Sequence, residues 1–225
     1  MQPGYKSPIN YTDTEYFNLS DKDTRIATAK RQKPVPTVEQ TRHVIEVMPL
    51  VTYIDRRNHC LIAFIQLTVA RDSAVASLKL KHIGLNACSV FQDAREVNTK
   101  FSKTFTTDFF PLGEDIRRIL VGWVGYLKNE LLYGNDDLLF PKTKVGQGDD
   151  NTFVPLGFQR EHWSTTSPVR KTSRDAFEAG GLPYFNPHSF RNTLAALREK
   201  LCQPPEDFKA WSQNFGHDKV LTTFF

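Results

Sequence analysis

Cysteine is scarce in this 225-residue chain: Cys60, Cys88 and Cys202 lie far apart, with no C-x-x-C pair among them. That spacing excludes a disulfide-stapled scaffold and is the pattern of reduced thiols in a cytosolic protein, with Cys60 inside an apolar run and expected in the core. No apolar run reaches the length of a membrane span, and the N-terminus lacks the basic-then-apolar order of a secretory signal. The sequence therefore reads as a soluble, cytoplasmic protein. Charge of one sign is not in large excess either. The 29 Lys and Arg against 25 Asp and Glu leave a formal charge of +4, a mild basicity that permits a nucleic-acid partner without requiring one. Internal repeats, heptad arrays, Walker-type glycine loops and clustered Asp/Glu metal cradles are also missing, so nothing points to a metal or nucleotide cofactor.

What is present suffices for a folded domain. An apolar fraction of 40% is ordinary for a globular protein, and the length allows one well-buried domain plus an extension. Residues 1–36 are polar and aperiodic, with Pro3, Pro8, Pro34 and Pro36, and read as a flexible linker or arm. Order is expected from Thr37, where Thr37-Val38-Glu39-Gln40 fits a capping box. A helical stripe follows through Val44 and Ile45, and a longer one through Leu61, Ile62, Phe64, Ile65 and Leu67. Arg71-Asp72-Ser73 reads as a tight junction into a further helix carrying Ala74, Val75 and Leu78, with Asp72 or Ser73 as its cap.

The period then changes. Ser89–Gln92 and Thr104–Phe110 are rich in β-branched and aromatic residues and predict strands, joined by the basic connection Arg95–Lys103. Asp115–Leu132 is helical again, and Lys142–Asn151 is polar enough to predict a surface loop. Arg170–Glu178 predicts a basic amphipathic helix closed by Gly180-Gly181. Pro187 opens a helix running to about Leu201, and Pro204-Pro205 another that Gly216 stops. The fold class is α+β, mostly helical, with a small antiparallel β-sheet.

Three clusters carry candidate chemistry. In Asn186-Pro187-His188-Ser189-Phe190-Arg191, His188 and Arg191 lie one turn apart at a helix start, where free backbone N–H groups favour an anion. In Phe215-Gly216-His217, Gly216 allows a left-handed turn that presents His217 on a loop. In Leu67-Thr68-Val69-Ala70-Arg71, an arginine directly follows a buried apolar helix and needs a partner or a ligand, Asp72 being the nearest carboxylate in sequence.

Taken in order, these clusters resemble the tyrosine recombinases, or phage-type integrases. That family's signature is an Arg in a Leu-Thr-Gly-Leu-Arg-like motif, a Lys on a β-hairpin, a His-x-x-Arg box and a Leu-Gly-His motif, with a catalytic Tyr shortly after. The matching positions are Arg71, Lys100, His188 with Arg191, and His217, over residues 37–225. The resemblance implies a catalytic domain that breaks and rejoins double-stranded DNA through a 3′-phosphotyrosine, without cofactor, as a homotetramer on its DNA. Arg71 and Arg191 would clamp the scissile phosphate and His217 would add a donor. His188 would act as base, and Lys100 would protonate the departing 5′ oxygen. Lys103 is the alternative lysine, and Lys171 and Arg174 on the basic helix are expected to add DNA affinity. A type IB topoisomerase and a non-catalytic DNA-binding module are the rival classes.

The sequence departs from the pattern in three places. Val69-Ala70 stands where the family has Gly-Leu, and Ala74 where a Glu commonly follows the first Arg, with Asp72 as its substitute. All seven tyrosines precede His217, the last being Tyr184. The resemblance therefore places the nucleophile beyond residue 225 and implies that this stretch alone is inactive.

Overall fold

The structure, a computed structural model, describes residues 18–28 and 34–216. The chain divides into two units, Met1–Pro34 and Val35–Phe225. In the first, α1 (Asp21–Thr28) is a two-turn helix where the polar, aperiodic sequence gave no helical stripe. Its start is local chemistry: the Ser20 hydroxyl accepts the Asp23 amide at 3.1 Å and donates to the Asp23 carboxylate at 2.6 Å.

The second unit is built around one buried helix. α2 (Val38–Val47) opens with the expected capping box, in which Thr37 and Gln40 satisfy each other's backbone amides. α3 (Tyr53–Thr68) begins eight residues before the first residue of its apolar stripe, Leu61, because Thr52 and Asp55 form a second capping box. From Cys60 to Thr68 every residue of α3 is buried, so the helix runs through the core rather than along its surface. It packs on α2, on α5 (Glu114–Asn129) and on α6 (Ser167–Ala179). Leu120, Trp123 and Leu127 of α5 lie against it, and the Trp123 indole N–H donates to the Leu139 carbonyl at 2.8 Å.

After α3 the chain turns sharply. α4 (Asp72–Val75) is a single turn capped by the backbone of Arg71, with no side-chain cap from Asp72 or Ser73 as the sequence had suggested. A 3-10 turn (Leu80–His82) then leads into a three-stranded antiparallel sheet, β1 (Ile83–Gly84), β2 (Ser89–Gln92) and β3 (Phe105–Asp108), in that spatial order. The polar stretch from Lys142, expected to be a loop, instead forms β4 (Lys142–Gln147), which pairs antiparallel with β5 (Phe153–Gln159). Neither strand of this ribbon has a fully buried residue, so no apolar alternation marked it in the sequence. α7 (Ser189–Leu201) starts two residues after Pro187, and α8 (Pro205–Asn214) completes the described chain.

Leu120→Ala is expected to cost about 2–5 kcal/mol by opening a cavity against α3, and Thr37→Ala about 1 kcal/mol through the lost cap. Urea denaturation of the three chains checks this; equal midpoints would contradict the buried-helix architecture.

Candidate active site

Three separate segments bring candidate residues together and a fourth borders them, and each is held by identifiable bonds. The first is the end of α3. Val69, its C-cap, is buried and adopts the left-handed conformation at φ 44° and ψ 31°. A β-branched residue there costs on the order of 1–3 kcal/mol, which is why the related motif carries glycine at this place. Arg71 follows, half-buried. Its guanidinium makes no hydrogen bond or ion pair among the described residues, and burial alone lowers its pKa. The expected support from Asp72 is not what the structure has. The Asp72 carboxylate is engaged by Arg170 Nε of α6 at 3.0 Å.

The second segment is the connection between β2 and β3. Asn98 staples it to α4 and the turn beyond: its carbonyl accepts the Ser73 hydroxyl at 2.9 Å, and its amide donates to the Ser77 hydroxyl at 2.9 Å. Glu96 fixes the base of the same connection, meeting Lys81 at 2.8 Å, Lys79 at 3.3 Å and the buried His82 at 3.3 Å. Lys100 thus stands on a loop tied directly behind Arg71, exposed, with its ammonium 4.7 Å from the Phe101 ring centroid. Phe101 and Ser102 both turn with positive φ. Lys103 is half-buried beyond that turn, and its carbonyl accepts the Thr99 hydroxyl at 2.7 Å.

The third segment starts α7. The Asn186 side chain accepts the His188 amide at 2.9 Å, so His188 is the N-cap rather than a residue inside the first turn. Arg191, one turn on, is 8% exposed. Its Nε donates to the Val69 carbonyl at 3.1 Å and an Nη donates to the Phe215 carbonyl at 2.9 Å.

The fourth segment is the end of α8. Asn214 is clipped to β3, its side chain accepting from the Asp108 amide at 2.6 Å and donating to the Asp108 carbonyl at 2.9 Å. Phe215 packs its ring 5.3 Å from that of Phe110. Gly216 has φ 71°, and a Cβ at this position would stand 2.9 Å from carbons of the Phe105 ring. Glycine is required there twice over, by backbone angle and by space. His217 lies outside the described residues.

Electrostatics record the convergence. Burial pushes the Arg191 guanidinium down to about 10, and the charge of Arg71 adds to the effect. The His188 imidazole is held below its ordinary value by desolvation first, then by the positive charges of Arg191 and Arg71, with Asp72 opposing and Lys100 adding. Arg71, Lys100, His188 and Arg191 therefore share one field, on residues far apart in sequence. Lys171 and Arg174 are not part of it. Both are exposed on α6, Lys171 bonded to Asp175 at 2.6 Å and Arg174 stacked 4.8 Å from the Tyr184 ring centroid.

The residues that sequence reasoning missed are those that hold the site: Glu96, Asn98, Asn214 and the carbonyls of Val69 and Phe215. Their partners lie across the fold, and no motif spacing signals them. Only the capping Asn186, directly before Pro187, follows a readable local rule.

A lowered imidazole pKa has a definite sign. Below the ordinary value of 6.5 the unfolded chain takes up a proton that folded His188 resists, so stability falls as the pH drops through that region. NMR titration should give His188 a midpoint below 6.5, moving up in Arg71→Ala as a neighbouring positive charge is removed. A midpoint unchanged by Arg71→Ala would mean the two groups do not share a site.

Neither a protein-family model nor the sequence of a curated protein matches this chain. Solved structures do resemble it. The catalytic core of lambda integrase superposes with a TM-score of 0.54 at 15% identity, covering 82% of this chain and 96% of that one. XerA recombinase gives a TM-score of 0.55 at 18% identity over 87% of this chain, and XerH site-specific recombinase in a post-cleavage complex gives 0.56 at 20% over 86%. This chain spans 60% of the XerA structure and 49% of the XerH structure. At such identities the architecture alone is shared, and that architecture is the catalytic-domain fold of the tyrosine recombinases.

Proposed function

We propose that this domain breaks and rejoins DNA strands by transesterification at a phosphodiester. The observation that carries the reading is the state of Arg71. A half-buried guanidinium has no partner among the described residues, yet it stands in the same field as Arg191 and His188. Gathering like charges while leaving donors unused raises the free energy of the empty site. A bound oxyanion reverses the sign of each of those terms.

The chemistry fits a phosphoryl centre. Attack at phosphorus piles negative charge on the non-bridging oxygens, and preorganised guanidinium donors stabilise it more than they stabilise the ground state. Arg71 and Arg191 are assigned that role. His188, kept neutral by its surroundings, can accept a proton from an attacking hydroxyl. Lys100 is the acid that delivers a proton to the departing 5′ oxygen. The XerH structure is bound to a palindromic difH substrate, and a dimer of lambda integrase residues 75–356, also similar to this chain, is bound to a COC' core site. Duplex DNA is the partner proposed here, with Lys171 and Arg174 adding backbone contacts. Assembly as a homotetramer on the DNA, and a tyrosine hydroxyl as the natural nucleophile, belong to the same proposal.

The test bypasses the nucleophile by supplying a small one. With hydrogen peroxide added and duplex DNA at saturation, the chain should cleave a substrate whose departing 5′ oxygen is replaced by sulfur. Arg71→Ala and Arg191→Ala should each slow this by about a hundredfold or more. Lys100→Ala should slow cleavage of the oxygen substrate but spare the sulfur one, because a thiolate leaves without an acid. Arg71→Ala cleaving at the unmodified rate would reduce that residue to a backbone grip and leave a DNA-binding module.

A further inference from the structure

A second place in the domain has the marks of an anion site, and it involves none of the residues above. Arg57 of α3 is 6% exposed. Its partners are all neutral: the Pro141 carbonyl at 3.0 Å, the Thr143 hydroxyl at 2.9 Å, and the Asn58 side chain at 2.9 and 3.2 Å. The faces of Phe158 and Trp163 flank it at 5.4 and 5.2 Å. These bonds occupy Nε, both hydrogens of one terminal nitrogen and one hydrogen of the other. One donor is left without an acceptor among the described residues. Burying a guanidinium without a carboxylate costs free energy that neutral acceptors only partly return. Burial alone accounts for the fall of its pKa to about 10; no neighbouring acid acts on it.

This arginine lines a cavity of about 240 Å³ with Lys142, Thr143, Trp163, Ser164 and Thr165, closed at one side by Pro168. No carboxylate is in the wall. The Lys142 ammonium has Glu161 at 3.7 Å, but that side chain is 67% exposed and the attraction is screened. The cavity also meets the start of α6, thirteen residues long, whose N-cap Thr166 makes no side-chain cap bond and whose second residue, Pro168, has no N–H. The Ser167 amide at that end donates to the Thr165 hydroxyl at 3.4 Å, and the positive end of the helix stands beside two cations and the Ser164 hydroxyl.

We propose that this cavity is a second anion site, taking a phosphate group between Arg57, Lys142, Ser164 and the first turn of α6. The same chemistry is offered by a free phosphate ion and by a backbone phosphate of duplex DNA. The proposal stands independently of the reading of Arg71 and its neighbours, since no residue is common to the two places.

Titration of inorganic phosphate into the ¹⁵N-labelled chain at constant ionic strength tests it. Saturable shifts are expected at the Val169 amide and at Arg57 Nε, and they should persist in Arg71→Ala. The exposed double change Lys142→Gln with Ser164→Ala should weaken them about tenfold while leaving the remaining spectrum folded. Shifts confined to the surroundings of Arg71 and His188, or a linear response without saturation, would overturn the site. A short duplex distinguishes the source. If it shifts the same signals, and the double variant loses about one unit of salt slope in DNA binding, the anion is a backbone phosphate. If the duplex leaves Val169 and Arg57 unmoved while phosphate binds, the site serves a free ion.

Discussion

A buried guanidinium must find acceptors, and Arg191 finds them in the carbonyls that end two helices far apart in the sequence. The residue fixes the end of α3 relative to the end of α8, and with them Arg71 on one side and the Gly216 turn on the other. The left-handed Val69, whose conformation costs free energy, supplies one of those carbonyls, so the local strain is tied to the placement of the arginine. Removing the Arg191 side chain would leave that carbonyl buried and unsatisfied besides taking a charge from the site.

Two carboxylates near the site are held by other cations. Asp72, next to Arg71, is turned aside by Arg170, and Glu96 is held at the base of the β2–β3 connection by Lys79, Lys81 and His82. Asp72 and Glu96 thus tie together the segments that carry Arg71 and Lys100. Ion pairs lie around the cluster, while Arg191 at its centre is held by backbone carbonyls.

How much of this was legible follows from what kind of interaction sets each feature. The capping box at Thr37, the apolar stripe of α3 and the β-branched strands are local, and their residues announce them. The capping box at Thr52 is equally local but has Asp55 where glutamate or glutamine is usual, so it does not announce the helix ahead of the apolar stripe. The β4–β5 ribbon was invisible because both of its faces meet solvent at least in part. Arg71, Lys100, His188 and Arg191 could be named from motif order, yet the bonds that gather them could not. Asn98 with Ser73 and Ser77, and Asn214 with Asp108, are tertiary pairs between residues of common polar types. Asp72 was misassigned for the same reason: its neighbour in sequence is not its partner in space.

The clip between Asn214 and β3 joins residues 106 apart, and the bond from Arg191 to Val69 spans 122. Closing contacts of such separation is slow, because the entropy of the intervening chain must be lost before the contacts are gained. The α2–α3–α5 core, made largely of nearer neighbours, can form while the end of the chain is still being synthesised. The cluster of Arg71, Lys100, His188 and Arg191 cannot. During translation the protein should therefore pass through a stage that is folded but has no completed cluster, and Arg191 gains its bond to the Phe215 carbonyl only when α8 docks on the sheet.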